Sequence, residues 1–347
     1  MQKATIDDVA ALAGVSIKTV SRVVNKEPNV RESTRLRVEK AVQELHYRPN
    51  PSARSLAGKR SYLIGLLYDD PSLYDNPSSN YIVNVQQGAL RICKSENHDL
   101  LIHPCNYKDT NLKGEIMSLI SHSQLDGLIL TPPLSDNKSL LAAIRKTGVP
   151  AVRIAPGDMT DPALSVATND REICAKMTEY LASLGHERIA FITGNRDHKA
   201  LKKRYLGYQD GLKNSDLTFY PDLVKEGDNS FGSGEACARE LLSSARPPTA
   251  IFACNDDMAT GVIRVAHQMG IHIPDDLSVA GFDDIPLAQQ IFPALTTIRQ
   301  PVRTMAETAL ELLMDQMRAK PTMDKPHTIE AELRIRESTG PAKQAAR

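Results

Sequence analysis

The chain has 347 residues, 41% of them hydrophobic and 24% charged, which provides for a sizeable core and two or three domains rather than one small module or a disordered chain. Lys plus Arg and Asp plus Glu both number 42, so the formal net charge is zero, yet the first sixty residues carry 12 basic side chains against 6 acidic ones. A small basic head on a larger acidic body is the pattern expected when only the head meets a polyanion.

Five cysteines, Cys93, Cys105, Cys174, Cys237 and Cys254, are odd in number and never spaced as C-x-x-C, which argues against a disulfide framework and a structural zinc site and fits a reducing compartment. The opening MQKATIDDVAALAG has two acids and no long apolar stretch, and no run of about 18 apolar residues follows, so neither a secretory signal nor a membrane span is expected. The expected location is the cytoplasm.

In chain order, Thr5 and Asp8 have capping-box spacing, and Ile6, Val9, Ala10 and Ala13 keep a helical period until Gly14. Ser16 caps a second helix whose apolar stripe is Val20, Val23 and Val24, leaving Ile17, Lys18, Ser21, Arg22 and Asn25 outward. Two helices joined by a short Gly-containing turn make a helix-turn-helix, whose second helix enters the DNA major groove. Val38, Ala41, Val42 and Leu45 mark a third helix that closes the miniature core. Taken alone, the outward face reads equally well as an ordinary solvated helical hairpin. Residues 49–60 then hold Asn50 as a cap, Pro51 at the first helical position and Gly58 as a stop. Two helical turns are marginal in water, so this segment is expected to form only when docked. Leu56, flanked by Arg54, Lys59 and Arg60, suits a minor-groove wedge; a plain linker is the alternative.

Beyond residue 60, short apolar runs alternate with amphipathic segments: YLIGLLY, DLLIHPC, GLILTPP, AVRIA, SVATND, RIAFITG, TAIFACND and LSVAGFDD. This predicts two parallel sheets covered by helices. Ligands of open α/β sheets bind at the carboxyl ends of strands, which singles out Tyr68, Asp69 and Asp70, then Thr131, Gly194, Asn255, Asp256, Asp283 and Asp284. In the Asp256-Asp257 pair, one carboxylate is expected on ligand hydroxyls while the next caps the following helix. Tyr68, Tyr74 and Tyr81, with no Trp in the chain, suggest a hydroxylated ligand. The motifs G-x-S-x-G, G-x-x-x-x-G-K-[ST] and H-E-x-x-H are all missing, so no enzyme is expected. FGSGEA at 231–236 is expected to open a helix. His98 and His103, five apart, fall on opposite strand faces, and no metal site or cofactor is expected. Near the end, Met305, Ala309, Leu312, Leu313 and Met317 share one helical face, with Leu310 at its edge.

TIDDVAALAGVSIKTVSRVVN and YRPNPSARSLAGKRSYLIGLL, followed by ACNDDMATGV, LSVAGFDD, LTTIRQP and ESTGP, resemble the lactose-repressor (LacI/GalR) family of bacterial transcription regulators. The resemblance implies a small all-α helix-turn-helix head and hinge helix on a two-lobed, periplasmic-binding-protein-like α/β body. It divides the chain into a head at 1–48, a hinge at 49–60, a first lobe at 61–164 with 301–327, a second lobe at 165–300 with 328–340, and a tail. By the same resemblance, Ile17, Lys18 and Arg22 read bases, while Thr5, Ser16, Thr19, Ser21, Asn25 and Asn50 contact phosphate or sugar. Leu56 intercalates, with Arg54 and Ala57 beside it. Arg204, Asn255, Asp283 and Gln300 contact an effector, with Phe282 and Tyr81 nearby; Tyr68 and Asp69 join them from the strand-end pattern. Two departures stand out: Arg31 replaces the usual Ser or Thr cap of the third helix, and Ala155 replaces an acid. The expected protein is a homodimeric repressor of a near-palindromic operator, located at the nucleoid when bound. Its effector is a saccharide, or alternatively a purine or phosphorylated sugar acting as corepressor, and no tetramerising tail is expected.

Overall fold

The computed structural model describes residues 4–24, 30–47, 61–70, 80–319 and 327–343. The hinge expected at 49–60, with Asn50, Arg54, Leu56 and Ala57, lies outside the described residues, as do Asn25 and Tyr74. Two compact units result, Met1–Tyr62 and Leu63–Arg347.

The first unit contains helices α1 (Ile6–Ala13), α2 (Ile17–Val24) and α3 (Glu32–Glu44). The expected capping box is present: Thr5 Oγ1 accepts from the Asp8 backbone N at 3.3 Å, and Thr5 N donates to Asp8 Oδ2 at 2.8 Å. Gly14 ends α1 at φ 63°, a left-handed conformation that a residue without Cβ adopts freely. Val9, Ala10, Ala13, Val20, Val23, Val38 and Ala41 form the buried core, with Val24, Val42 and Leu45 packed at its margin. Arg31 stands at the N-cap of α3 and makes no side-chain capping bond, the consequence expected of the residue found there.

The second unit begins with β1 (Leu63–Asp69), α4 (Asn80–Ser95), β2 (Asp99–Cys105), α5 (Leu112–Ser123), β3 (Gly127–Leu130), α6 (Lys138–Thr147), β4 (Ala151–Ile154) and β5 (Leu164–Thr168). It continues through α7 (Asp170–Ser183), β6 (Ile189–Thr193), α8 (Ala200–Asn214), β7 (Val224–Glu226), α9 (Phe231–Leu242), β8 (Ala250–Ala253), α10 (Asp256–Gln268) and β9 (Ser278–Ala280). Last come α11 (Pro286–Gln290), β10 (Thr297–Arg299), α12 (Val302–Met317), β11 (His327–Ile329) and β12 (Glu332–Arg334). One six-stranded sheet has the order β11-β5-β4-β3-β1-β2 and a four-stranded sheet the order β7-β6-β8-β9. Every pairing within them is parallel, and β10 and β12 add a small antiparallel pair. FGSGEA opens α9, capped by Ser230 Oγ accepting from Ser233 N at 3.1 Å.

The lobe boundaries shift from those expected. β5 pairs with β4, and β11 with β5, so the chain leaves the first sheet after Thr168 rather than at 164/165, and again after Ile329 rather than at 327/328. Three segments therefore cross between the lobes, near Asn169, Gln300 and Ala331, and Asn169 Oδ1 accepts from Ala331 N at 2.9 Å to tie two of them together. On α12 the buried residues are Val302, Met305, Ala306, Ala309, Leu310, Leu313 and Met314. Leu310 is thus inside the stripe, and Leu312 and Met317 lie at its margin. The stripe turned because α12 packs against both α4 and the sheet at β4 and β5, so it buries a wider arc than a single seam requires.

Candidate DNA-reading face and effector cleft

In the head, the α1–α2 turn presents Ser16, Ile17, Lys18 and Arg22 to solvent, with Thr19 and Ser21 half-buried. Ile17 is 48% exposed, unusual for a residue that could have joined an apolar core and consistent with a side chain held outward for a partner. Ser16 Oγ accepts from Thr19 N at 3.2 Å and lies 2.9 Å from Thr19 Oγ1, so the first turn of α2 is locally pinned.

In the body, the strand ends converge on a buried arginine. Arg204, on α8, is 4% exposed. Its Nε lies 3.3 Å from Asp170 Oδ1, its Nη1 donates to the Cys254 carbonyl at 2.6 Å and sits 3.7 Å from Asp283 Oδ1, and its guanidinium lies 3.5 Å above the Phe282 ring. Burial works against the charge, but Asp170 and Asp283 outweigh it and hold the pKa of Arg204 above its ordinary value. Phe282 is fully buried, so it supports Arg204 from below instead of opening onto the cleft.

Asp283 is only partly buried, yet burial pushes its carboxyl up to about 7 despite Arg204, with Asp257 and Asp170 adding to the rise. Its backbone sits at φ 115° and that of Asp284 at φ 57°, conformations that cost about 1–3 kcal/mol and persist where surroundings enforce them. Those surroundings are visible: Asp283 N donates to the Ile298 carbonyl at 2.8 Å, and Asp284 is clamped by Arg299 Nε at 2.7 Å and Arg336 Nη2 at 2.5 Å.

Asp256 departs from its expected role. Fully buried, it accepts from Thr297 Oγ1 at 2.5 Å and from Ile285 N at 2.9 Å, so it braces the strand ends and leaves nothing for a ligand. Asn255 is the residue that caps α10, with Oδ1 accepting from Met258 N at 3.0 Å and Nδ2 donating to the Asn229 carbonyl at 2.8 Å. The division expected between Asp256 and Asp257 is therefore replaced by a cap at Asn255, two residues before Asp257. Asp69 Oδ1 accepts from Tyr107 N at 3.1 Å, and Tyr68 is buried beside Asp70, its phenol pKa raised by burial first and by that carboxylate second. Ala155 follows β4 at φ 45° and brings no polar group.

Tyr81 Oη and His198 Nε2, both under the influence of the Arg204 charge, have no hydrogen-bond partner among the described residues, and neither do Thr168 Oγ1 at the end of β5 and Gln300 Oε1 just after β10. Tyr81 belongs to the first lobe, and its phenol pKa is raised by burial first and by Asp283 across the cleft next. His198 is held neutral, its pKa lowered to about 3 by burial and the Arg204 charge. Asp170 and His198 were not singled out from sequence. The SVATND strand end pointed toward Asp170; His198, in a loop, left no signal.

The two lobes also touch directly. Tyr107 donates its hydroxyl to Asp197 Oδ2 at 2.8 Å, Asn195 Nδ2 donates to Tyr107 Oη at 3.3 Å, and Lys203 Nζ donates to the Pro156 carbonyl at 3.4 Å.

Known proteins match this arrangement over nearly the whole chain. Residues 5–50 match the description "Bacterial regulatory proteins, lacI family", and residues 178–339 match "Periplasmic binding protein-like domain". The chain is 34% identical over 320 residues to the HTH-type transcriptional repressor PurR of Aliivibrio salmonicida (strain LFI1238), covering 91% of this chain and 93% of that protein. It is 30% identical over 335 residues to the probable HTH-type transcriptional repressor ExuR of Bacillus subtilis (strain 168), covering 96% and 98%. The lac repressor dimer bound to operator and the anti-inducer ONPF superposes with a TM-score of 0.79 at 28% identity, over 98% of this chain and all of that one. A complex of the transcriptional regulator CelR with cellobiose superposes with a TM-score of 0.73 at 28% identity, covering 96% and 99%. Likeness in the head, in the body and in their order along the chain leads to one conclusion: the chain belongs to the lacI family of bacterial regulatory proteins, and is a DNA-binding transcriptional regulator.

Proposed function

We propose that this regulator represses transcription as a homodimer on a near-palindromic operator, and that a small hydroxylated effector between the lobes sets its operator affinity without being chemically altered. Ile17, Lys18 and Arg22 read base edges, and Thr5, Ser16, Thr19, Ser21 and Asn25 hold phosphates or sugars. The segment 49–60 folds as the dimer docks, with Leu56 as the wedge and Asn50, Arg54 and Ala57 beside it. A hundredfold change in operator affinity needs only about 2.8 kcal/mol of differential effector binding to two lobe arrangements.

The observation that carries the effector reading is the pair of unpartnered buried polar atoms on Tyr81 and His198 beside Arg204, with two more on Thr168 and Gln300 near the ends of β5 and β10. Each such atom costs about 1–3 kcal/mol unless something completes its hydrogen bonds, and a polyol offers donors and acceptors closely spaced on one small frame. Arg204 is already engaged by Asp170 and Asp283, which favours a neutral saccharide over a phosphorylated sugar. A purine is the second reading, favoured by the 34% identity to a repressor named PurR.

A thermal-shift panel of neutral saccharides and purines, paired with operator-binding anisotropy, tests this. A ligand at 100 times its Kd adds about 2.7 kcal/mol of stability. A saccharide that both stabilises the chain and alters its grip on operator supports the first reading, and a purine doing so selects the second. A chain whose operator affinity no member of the panel changes would overturn both.

A further inference from the structure

Among the described residues, strand β2 is the outer strand of the first sheet and pairs with β1 alone. Residues two apart on a strand share a face, so His103 and Cys105 project to the same side, where α5 brings Glu115 in its first turn. His103 Nε2 lies 2.6 Å from Glu115 Oε1, and Cys105 Sγ makes a long contact with the His103 carbonyl at 3.7 Å. The imidazole nitrogen, the thiol sulfur and the carboxylate oxygen all fall within 4.8 Å of one another. Between the two strand donors stands Pro104, whose ring restricts φ and is tolerated because β2 is an edge.

We propose that His103, Cys105 and Glu115 form a binding site for a borderline-soft divalent cation, zinc foremost, with the fourth position taken by water. Nitrogen, sulfur and oxygen donors bind zinc at about 2.0–2.3 Å in tetrahedral geometry, which places donors roughly 3.3–3.8 Å apart. The His103–Glu115 pair therefore opens by about 1 Å, and the thiol, already within 4.8 Å of both, closes by no more than about 1.5 Å. The side chains that must move are the mobile ones: His103 is 25% and Glu115 37% exposed, whereas Cys105 is buried at 1%. A thiol deep in the site and two donors at its mouth give the cation a route in and a solvent-facing position. Calcium and magnesium prefer all-oxygen shells, so imidazole and thiolate select against them. On binding, the thiol proton passes to buffer. An ordinary His–Glu ion pair accounts for the 2.6 Å contact alone and has no use for the sulfur, so the sulfur is what the test must read.

The full chain, freed of metal with chelator, is titrated with Co2+ as a spectroscopic probe. Expected is one Co2+ per chain, visible bands of a four-coordinate ion, a thiolate-to-cobalt charge-transfer band in the near ultraviolet, and displacement by one equivalent of Zn2+. Cys105→Ser should abolish the charge-transfer band, and His103→Gln and Glu115→Gln should each weaken binding by more than ~tenfold, the scale on which even outer-shell changes act. Absence of the band overturns the site, as does a band that persists in Cys105→Ser or is unaffected in both other variants. Should Cys105→Ser fail to fold, as judged by circular dichroism, the two half-exposed positions decide the matter.

Discussion

Tyr107 and Asp197 join the two lobes: the phenol after β2 donates to a carboxylate after β6 at 2.8 Å, while the Tyr107 backbone N is held by Asp69 at 3.1 Å. The bond exists only when the lobes stand as they do in this structure, so it biases the equilibrium between lobe arrangements by about 0.5–1.5 kcal/mol. Tyr107→Phe removes the hydroxyl and keeps the ring. An effector that binds this arrangement should then lose about 3–10-fold in affinity, measured by calorimetry, with little change in Tm. Unchanged affinity would show that the bond does not bias the lobes.

A second cross-lobe approach is steric. The loop after β4 is shaped by Arg153, fully buried, which donates to the carbonyls of Ser135, Asp158 and Asp161 at 3.3, 2.8 and 3.3 Å. Asp136 accepts from Gly157 N at 2.9 Å and Asp158 N at 3.0 Å, fixing the loop tip. A Cβ added at Gly157 would stand 2.3 Å from Lys199 Cβ and 2.6 Å from the Lys199 carbonyl carbon. Gly157→Ala should therefore penalise this lobe arrangement by about 1–3 kcal/mol. The expected result is weaker effector binding from a chain whose circular dichroism and head-domain DNA contacts are intact; an effector Kd equal to that of the parent would contradict the steric account.

For Asp283 the pH dependence has a definite sign. Its pKa rises from an ordinary 3.8 to about 7 on folding, burial being the largest cause. The folded state thus binds this proton more tightly than the unfolded state, and stability is lost as pH rises from about 4 through about 7. Asn mimics the protonated form and tolerates the positive φ of this position. Relative to the parent, Asp283→Asn should melt higher at pH 8, and the difference should shrink toward pH 4. A difference that stays constant with pH would refute the raised pKa.

At the head, Arg22 is exposed on the face of α2 that also carries Ile17 and Lys18. Arg22→Ala should cost about 1–3 kcal/mol on operator and relax the base preference at one position, while leaving effector affinity unchanged. Equal loss on random DNA, followed by fluorescence anisotropy at fixed salt, would reassign Arg22 to the phosphates.

What could be read from the chain alone was local. The capping box at Thr5, the Gly14 stop and the stripe of Val20 and Val23 involve neighbours within four residues, so their spacing contains the geometry. Parallel strands announced themselves as apolar runs, and their polar ends singled out Asn255 and Asp283, of which the fold makes the first the cap of α10 and sets the second beside Arg204. Tertiary packing decided what depends on partners far along the chain. It placed β5 and β11 in the first sheet and rotated the α12 stripe from Leu312 and Met317 to Leu310 and Met314. It bound Asp256 to Thr297 and Ile285, put Asp170 against Arg204, and brought Glu115 to His103 and Cys105. Hydrogen bonds and burial act through a few ångströms of space whatever the separation in sequence, so a residue's type shows which bonds it can make and only the fold determines which it does make.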